Sequence, residues 1–400
     1  MNAAEQAREA GSRILVVVAE MGHVTQREIV GVTRFAKRSG LSVDIVEGRH
    51  FGEETDFAKW VEFWNPGGLI VDPVYAADAL AYRKTARLPM VFWDASSISG
   101  GLPVDSARVM SDPVSIAETA AHELLRADFR QFAFISALGD PPWSRNRGAA
   151  FGRVATGCGR AFASFSSPPD VSRVPDSFQR HLVEFLRSLP MPCGVFAAND
   201  ATAALVVKAA STLGLRFPDD LTLVGVDDSA EYCERSNPTI SSVALDIEAG
   251  GETAARLLAE RMRGPSPSGD RKTPSVVTYG AERLVRRSSS RLTRDRRVDR
   301  AFECIRLHAC EEGFGPRKVV RQMGVSSTLA YPLFHAAAGR TILDEIHAVR
   351  LARAMDLLAN GTFPDVVASQ CGYASHADFR RVFRQRIGVT VRRWMLDHRK

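Results

Sequence analysis

Short apolar runs alternate with amphipathic helical stretches from residue 13 to about residue 246, and this alternation limits the fold more than any other feature. The runs cover residues 13–21, 41–47, 67–73, 88–94, 107–112, 131–137, 160–166, 193–200, 221–228 and 241–246. Strands that are apolar nearly throughout must be covered on both faces, which is typical of a parallel sheet wrapped by helices. So many units predict two doubly wound α/β lobes with a cleft between them.

Several of the predicted strands end in an acidic residue. The positions are Asp72, Asp94, Asp112, Asp200 and the pair Asp227 and Asp228. In doubly wound sheets ligands bind outside the carboxyl ends of the strands, where carboxylates can accept hydrogen bonds from ligand hydroxyls. Aspartate also caps helices where a strand turns into a helix, so both explanations stay open for any single residue.

Beyond residue 298 the strand pattern stops and only helical periodicity remains. Two segments, 316–332 and 365–387, each repeat the order of a short helix, a turn and a helix that begins at a serine, and a longer helix over 343–358 separates them. Two helix-turn-helix units joined by a long helix are typical of proteins that read DNA. The sequence therefore predicts an all-α DNA-binding domain after the α/β body.

The chain of 400 residues is longer than one ordinary domain. The changes of pattern described above divide it into four segments. We expect residues 1–12 to be disordered and residues 13–284 to form the two-lobed ligand-sensing domain. Residues 285–297 read as a polar, basic linker with little to bury, and residues 298–400 as the DNA-binding domain.

The charge of the chain is unevenly distributed. Residues 283–400 contain 23 Lys and Arg against 11 Asp and Glu, whereas the residues before them contain 29 basic and 35 acidic residues. Arginine supplies nearly all of the C-terminal positive charge, and its planar guanidinium suits phosphates and base edges. An acidic N-terminal part joined to a basic C-terminal part predicts that double-stranded DNA binds to the C-terminal part only.

Other classes of protein and site are disfavoured by the sequence. The apolar runs are too short to span a bilayer, and the polar N-terminus has no signal-peptide core, so we expect a cytoplasmic protein without a membrane partner. Six cysteines without CxxC spacing predict reduced thiols, and the scattered histidines predict no metal site. Because P-loop, GxGxxG, GxSxG and HExxH motifs are missing, we expect neither a cofactor nor an enzyme.

The last hundred residues resemble the AraC-type DNA-binding domain. The stretch FPDVVASQCGYASHADFRRVFRQRIGVT at 363–390 follows that family's order of a small-residue helix, a Gly-aromatic turn, a serine at the next helix start, Phe-x-x-x-Phe and Gly-x-Thr. The first unit matches in its Val-Ser turn, Phe334, Gly339 and Arg350 followed by leucine. The resemblance implies a tandem helix-turn-helix module that binds promoter DNA.

The α/β body resembles the periplasmic-binding-protein fold used by lactose-repressor-type regulators. RGAAF at 147–151, AND at 198–200 and VGVDD at 224–228 carry this resemblance. A sensor of this kind placed before an AraC-type domain is the arrangement of the xylose-operon regulator (XylR) family, and the likeness extends over nearly the whole chain. It implies a regulator whose ligand is a small sugar, a pentose such as xylose.

The resemblance also implies which residues hold sugar hydroxyls: Arg147, Asn199, Asp200 and Asp227. Trp143, four residues before Arg147, could stack on a sugar ring, although an ordinary core tryptophan is an equal alternative. Asp72 is a further candidate because it follows a predicted strand. The loop over 21–27 departs from the family's usual aromatic-acid-Arg stretch, so a ligand other than xylose stays open.

The candidate DNA contacts lie at the starts of the two reading helices: Ser375, His376, Ala377, Arg380, Arg381 and Arg384 in the second unit, and Ser326 and Thr328 in the first. We expect Arg381 to pair twice with a guanine and His376 to donate to a base or a phosphate. Proline at position 332 has no N–H to donate, so we expect the first unit to position the domain more than to specify sequence. A solvated basic helix face is the alternative explanation of the arginines.

Together these features predict a cytoplasmic, sugar-responsive transcriptional regulator. We expect it to form a homodimer through its sensor and to contact RNA polymerase if it activates transcription. Two alternatives stay open at this point: a regulator of the same fold that responds to a non-sugar ligand or to none, and an α/β enzyme that acts on a small polyol.

Overall fold

The computed structural model describes residues 12–48, 57–86, 88–94, 102–127, 129–166, 175–264, 274–290, 295–338, 340–359 and 361–398. The chain divides into two compact units, Met1–Ser290 and Arg291–Lys400. Apart from residue 12, the segment expected to be disordered lies outside the described residues. None of the helices in the described ranges is both long and apolar enough to cross a membrane.

Two six-stranded sheets form the N-terminal unit. In chain order their strands are β1 (Arg13–Val18), β2 (Ser42–Glu47), β3 (Gly68–Val71), β4 (Met90–Trp93), β5 (Ala107–Ser111), β6 (Gln131–Ile135), β7 (Ala161–Phe165), β8 (Cys193–Ala197), β9 (Leu221–Val226), β10 (Ser241–Leu245), β11 (Ser275–Tyr279) and β12 (Ala281–Val285). The first lobe has the strand order β11-β5-β4-β3-β1-β2, and the second lobe has the order β12-β10-β9-β8-β6-β7. Neighbouring strands pair in parallel except β10 and β12, so the predicted doubly wound architecture is confirmed.

Helices cover the faces of both sheets. They are α1 (His23–Arg38), α2 (Phe57–Trp64), α3 (Ala76–Tyr82), α4 (Pro113–Leu125), α5 (Pro142–Gly157), α6 (Pro175–Ser188), α7 (Asp200–Thr212), α8 (Ala230–Cys233) and α9 (Ile247–Met262). Strands β3, β4, β8, β9 and β10 are buried along their whole length. Burial on both faces explains why the sequence shows continuous apolar runs at these places instead of alternation.

The chain passes between the two lobes at three short connections. β5 leads into α4, β10 leads into α9 and β11 leads into β12, and in each pair the two elements pack in different lobes. Backbone hydrogen bonds link the first two connections to the third. Asp112 N donates to Tyr279 O at 2.8 Å, and Asp246 N donates to Gly280 O at 3.3 Å. A change in the angle between the lobes has to occur at these three connections.

The predicted linker over 285–297 is wrong for its first residues, which pack against the second lobe. Arg287 is only 7% exposed. Its Nε donates to Glu234 Oε1 at 2.7 Å, and its Nη2 lies 2.8 Å from Asp228 Oδ1. Ser289 is fully buried. The polar sequence predicted a solvated linker. In the folded lobe, however, each of these polar groups has a hydrogen-bond or ion-pair partner, and polar groups with such partners can be buried.

In the described part of the C-terminal unit, helices are the only regular secondary structure. Its helices are α10 (Arg296–His308), α11 (Pro316–Met323), α12 (Ser327–Ala338), α13 (Ile342–Ala359), α14 (Pro364–Gln370), α15 (His376–Ile387) and α16 (Val391–His398). One apolar cluster surrounds Phe334 of α12 and a second surrounds Phe383 of α15. The predicted tandem helix-turn-helix architecture is confirmed. Sequence patterns did not predict α16, and α12 continues through Pro332.

Candidate ligand cleft and nucleic-acid interface

Arg147 lies between the carboxyl ends of the two sheets. It sits on α5, which begins at Pro142, a residue suited to the first helical turn because it has no N–H that needs a partner there. Arg147 Nη1 donates to Ala198 O at 2.6 Å and Nη2 donates to Ser111 Oγ at 3.2 Å. Because Ala198 follows β8 and Ser111 ends β5, this one guanidinium is hydrogen-bonded to the ends of strands from both lobes.

Two other predicted ligand residues lie beside this guanidinium. Arg147 Nη1 is 3.9 Å from Asp227 Oδ1. The guanidinium carbon is 4.9 Å from the centre of the Trp143 ring. Trp143 is half-buried and packs against the apolar cluster of the second lobe, so it is partly a core residue. Arg147, Asp227 and Trp143 therefore form one cluster.

The carboxyl of Asp227 is affected by charges from both lobes. Its backbone φ is +100°, a strained conformation for a residue other than glycine, of the kind found at functional sites. Burial raises the pKa of Asp227, while the positive charges of Arg147, His23 and Arg27 lower it. His23 and Arg27 lie in the first turns of α1, so most of the segment over 21–27 that was read as a loop is helical, and two of its residues act on this carboxyl.

Asp72 and Asn199 both cap helices, a role that the sequence left open for Asp72. Asp72 Oδ1 accepts a hydrogen bond from Val74 N at 2.9 Å and so caps the short 3₁₀ helix Pro73–Tyr75. Asn199 Oδ1 accepts from Thr202 N at 2.9 Å and caps α7. The single side-chain oxygen of Asn199 and one of the two carboxylate oxygens of Asp72 therefore already accept from a helix N-terminus.

Asp200 is buried inside the second lobe, with 1% of its surface exposed. Its Oδ2 accepts from Ser229 N at 2.8 Å and fixes the loop after β9. Burial, and then the charge of Asp227, raise the pKa of Asp200 to about 8. A carboxyl held in this way supports the shape of the cleft wall behind Asp227 more directly than it contacts a ligand.

Glu28 is a cleft residue that was not predicted from the sequence. It is 8% exposed, and Tyr279 Oη donates to its Oε1 at 3.4 Å. Burial, followed by the charge of Asp72, raises the pKa of Glu28 to about 8. A local signal was present, because Val24, Glu28 and Val32 follow one another at helical spacing on the inner face of α1, where an acidic residue is unusual.

The position of Glu28 depends on a close crossing between α1 and α9. A Cβ atom on Gly31 would lie 2.0 Å from Glu248 O, and one on Gly251 would lie 2.0 Å from Glu28 O. An ion pair from Arg34 to Glu248, with 2.5 Å between Nη2 and Oε2, spans the same crossing. Because α9 begins directly after a connection between the lobes, α1 and its cleft residues are tied to that connection.

The cleft combines a guanidinium, several carboxyls and two aromatic rings, those of Trp143 and Tyr279. Such groups can donate to and accept from adjacent hydroxyls of a small polar molecule while the rings cover its apolar face. Across the ranges that the structure describes, no group of three or more His, Cys, Asp or Glu is arranged to hold a metal ion.

The second reading helix, α15, has the features that the sequence predicted. Ser375 Oγ accepts from Asp378 N at 3.1 Å and caps the helix. Phe379 and Phe383 are fully buried. The candidate DNA contacts are on the opposite side: Ala377, Arg380, Arg381 and Arg384 are exposed, and His376 is half-exposed. The arrangement presents a basic surface on a helix anchored by two phenylalanines.

Two of these candidate contacts are paired with carboxyl groups of the same unit. His376 Nδ1 lies 2.7 Å from Asp365 Oδ1, which joins α15 to α14. Arg381 Nη2 lies 2.6 Å from Asp378 Oδ1. A guanidinium has five N–H donors, so one ion pair orients Arg381 and leaves further donors for a base edge. In the first unit, Ser326 and Thr328 are exposed at the start of α12.

Comparisons with known proteins support the domain type assigned to each of the two units. A periplasmic-binding-protein-like domain family matches residues 121–290, and a helix-turn-helix domain family matches residues 319–396. The chain is 26% identical over 293 residues to the xylose operon regulatory protein of Escherichia coli K12, which covers 72% of this chain and 73% of that protein.

Solved structures share the fold. The structure of a xylose-binding transcription activator, XylR, aligns with a TM-score of 0.56 at 22% identity and covers 97% of this chain and 98% of that one. A LacI-family regulator from Arthrobacter sp. FB24 in complex with lactose aligns with a TM-score of 0.54 at 23% identity, over 70% of this chain and 99% of that one. The first of these covers both units in the same order along the chain.

The enzyme alternative is not supported, because these relatives are transcriptional regulators. The two domain families occur here in the order expected from the sequence. The chain is a DNA-binding transcriptional regulator, similar to the xylose operon regulatory proteins, in which a periplasmic-binding-protein-like domain precedes a helix-turn-helix domain.

Proposed function

We propose that this regulator responds to a small sugar, which binds between the two lobes and alters DNA binding by the C-terminal unit. The observation that carries the proposal is the position of Arg147, which faces Asp227 and is hydrogen-bonded to Ser111 at a connection between the lobes. A ligand that contacts Arg147 and Asp227 on one side and α1 on the other would favour one angle between the lobes.

A polyhydroxy ligand suits these groups. Charge-assisted hydrogen bonds from Arg147 and to Asp227 can orient a molecule that offers little apolar area, and Trp143 can cover one face of its ring. We infer a pentose because the Escherichia coli relative is named for the xylose operon. His23 and Arg27 lie near Asp227 and would face a bound ligand, so the test covers hexoses and polyols as well.

Isothermal titration calorimetry of the full-length protein tests the ligand class. The panel consists of D-xylose, L-arabinose, D-ribose, D-glucose, D-galactose and xylitol. We expect binding heat with at least one pentose, and a bound pentose should change the affinity of the protein for DNA. If none of the six compounds releases heat or raises the melting temperature, the protein is not a sugar sensor and responds to another ligand or to none.

In the DNA-binding unit we infer different roles for neighbouring arginines. Arg381 lies near the middle of α15 on its exposed side, where a guanidinium can pair with guanine O6 and N7. Arg384 lies one turn further along the helix, where a phosphate is the better partner. Ser375 and Ala377 are small and let the helix start approach the groove, and His376, Arg380, Ser326 and Thr328 contact the backbone or base edges beside it.

Binding to duplexes enriched from a random library separates these roles. Arg381→Ala should weaken binding to the enriched site by about 1–3 kcal/mol, relax one base position and change binding to random DNA much less. Arg384→Ala should weaken binding to both DNAs alike and lower the salt dependence, because one phosphate contact is lost. Equal losses on both DNAs for Arg381→Ala would exclude a base-specific contact.

We also infer a homodimer formed through the N-terminal unit, contact with RNA polymerase if the protein activates transcription, and action in the cytoplasm. Two subunits would bring two DNA-binding units to repeated half-sites, which is the usual arrangement for DNA-reading dimers. Sedimentation equilibrium of the full chain measures the subunit number directly, and a monomer at all accessible concentrations would exclude the dimer.

A further inference from the structure

The two reading helices of the C-terminal unit match position by position. α12 and α15 each contain twelve residues. The fully buried residues are Ala330 and Phe334 in α12, and Phe379 and Phe383 in α15, at the same places counted from the helix start. The serine before α12, Ser326, therefore corresponds to Ser375. Equivalent outward positions of the two helices can be compared directly.

The chemistry at these outward positions is different in the two helices. Where α15 carries Arg380 and Arg381, α12 carries Tyr331 and Pro332. Leu329 occupies the position of Asp378. Leu329 and Tyr331 are each 44% exposed, and Pro332 is exposed as well. The first helix thus presents an apolar surface at the places where the second presents cations.

The preceding helix indicates what this apolar surface contacts. Arg317, Lys318 and Arg321 of α11 are exposed just before the turn that leads into α12. Cations next to a reading helix favour a polyanion, since phosphate contacts position such a helix on a duplex. Because these cations favour the phosphates of DNA, the apolar surface beside them is better suited to contact a groove of the duplex than an uncharged protein surface.

Among the base pairs, only those with thymine present an apolar group in the major groove, the C5 methyl. Leucine, tyrosine and proline rings or chains can contact that methyl, whereas none of them can pair with guanine as arginine does. Thr328, also exposed, has a methyl group of its own.

On this basis we propose that α12 reads DNA by apolar contact of Thr328, Leu329 and Tyr331 with thymine methyl groups. The bound site then has two unlike parts, one rich in thymine under α12 and one containing guanine under α15. This goes further than the sequence-based expectation that the first unit mainly positions the domain. It rests on the proposed reading of DNA by the two helices.

Selection from two random duplex libraries tests the proposal with the full-length protein. One library is synthesised with thymine and the other with uracil, which pairs identically but lacks the C5 methyl. The thymine library should yield a motif with two parts, and the uracil library should keep the guanine-containing part and lose the other. In the enriched site, each thymine replaced by uracil under α12 should weaken binding about fourfold.

A variant locates the methyl contact on the protein. Leu329→Ala should weaken binding to the thymine site and leave binding to its uracil form nearly unchanged, because the contact is already missing there. Leu396→Ala, at a leucine of α16 that is 64% exposed, is the matched control and should bind both DNAs like the unmodified protein. Equal thermal unfolding of both variants excludes misfolding.

Three results would overturn the proposal, and they can be told apart. If the uracil and thymine sites bind equally, methyl contacts do not exist. If Leu329→Ala weakens both DNAs equally, or changes only self-association or contact with RNA polymerase, the apolar surface serves another role. If neither library enriches any motif, the proposed reading of DNA fails together with this inference.

Discussion

The guanidinium carbon of Arg350 lies 5.4 Å from the centre of the Tyr373 ring, and the same side chain donates to two backbone carbonyls. Arg350 Nε donates to Ala309 O at 2.7 Å and Nη2 donates to Phe314 O at 3.0 Å. Ala309 and Phe314 belong to the first half of the C-terminal unit and Tyr373 to the turn of the second. One buried side chain of α13 therefore joins the two halves.

Replacing this side chain should destabilise the C-terminal unit. Arg350→Met keeps much of the apolar stem but leaves the buried carbonyls of Ala309 and Phe314 without a donor. The expected loss is about 2–6 kcal/mol, since each of the two buried carbonyls left unpaired costs about 1–3 kcal/mol. Hydrogen exchange of peptides from α10 and α14, measured by mass spectrometry, should show faster opening there.

The matched control for this prediction is Arg353→Met, at an exposed position of the same helix. A surface change of this kind is expected to alter stability by no more than about 0.5 kcal/mol. Exchange that is equally slow in both variants would mean that Arg350 does not hold the two halves together.

Glu28 should make the N-terminal unit less stable as the pH rises. Its pKa is about 8 in the folded protein against an ordinary value of 4.5, because of burial first and the charge of Asp72 second. Between these values the folded state keeps a proton that the unfolded chain has released. Stability should therefore fall with increasing pH across this interval and level off above pH 8. Asp200 contributes with the same sign.

Glu28→Gln removes one of these two contributions. Relative to the unmodified protein, the variant should gain stability as the pH rises from 5 to 8, by at most about 1.4 kcal/mol per pH unit. Urea unfolding followed by tryptophan fluorescence reports mainly on this unit, because four of the five tryptophans, all but Trp394, lie in it. The control is Glu118→Gln, on the exposed side of α4. Identical pH slopes for both variants would contradict the prediction.

Cys310 should be reactive near neutral pH. A hydrogen bond with Cys371, assisted by the charges of Arg350 and Arg353, lowers the pKa of Cys310 to about 7, and the same bond raises the pKa of Cys371. Since the thiolate is the reactive form, alkylation of half-buried Cys310 by short pulses of iodoacetamide should increase with pH around a midpoint near 7. Mass spectrometry of the resulting peptides measures this rate.

Substitutions of Cys371 test whether its hydrogen bond lowers the pKa of Cys310. Cys371→Ala removes the hydrogen-bond donor and should move the midpoint for Cys310 upward, whereas Cys371→Ser keeps a donor and should leave it close to 7. A midpoint that is the same in both variants would assign the lowered pKa to another cause.

Features set by neighbouring residues could be predicted from the sequence. The strands are recognisable because burial on both faces requires an apolar residue at every position, as in β8 and β9. The reading helices are recognisable because their signals are local: Ser375 caps α15, and Gly324 and Gly372 adopt positive φ in the turns.

Features set by distant residues could not be predicted in the same way. Glu28 and Tyr279 are 251 positions apart, and only the path of the chain between the lobes brings them together. Arg287 looked like part of a solvated linker because its partners, Asp228 and Glu234, are distant in sequence. Only the pairing of β12 with β10 brings them close, and no local pattern predicts that pairing. Arg147 was found through resemblance, whereas its bond to Ser111 required the structure.

Arg147→Gln should weaken ligand binding without changing DNA binding in the absence of sugar. Glutamine can replace one donated hydrogen bond but not the charge beside Asp227, so we expect sugar affinity to fall by roughly 10–100-fold, as for a lost charged hydrogen bond. Affinity for DNA without sugar should stay the same, because the C-terminal unit is unaltered. The control is Arg153→Gln, on the exposed side of the same helix α5. Calorimetry and DNA binding with and without the sugar separate the outcomes: a variant that unfolds more easily but keeps its sugar affinity would show that Arg147 supports the cleft without contacting the ligand.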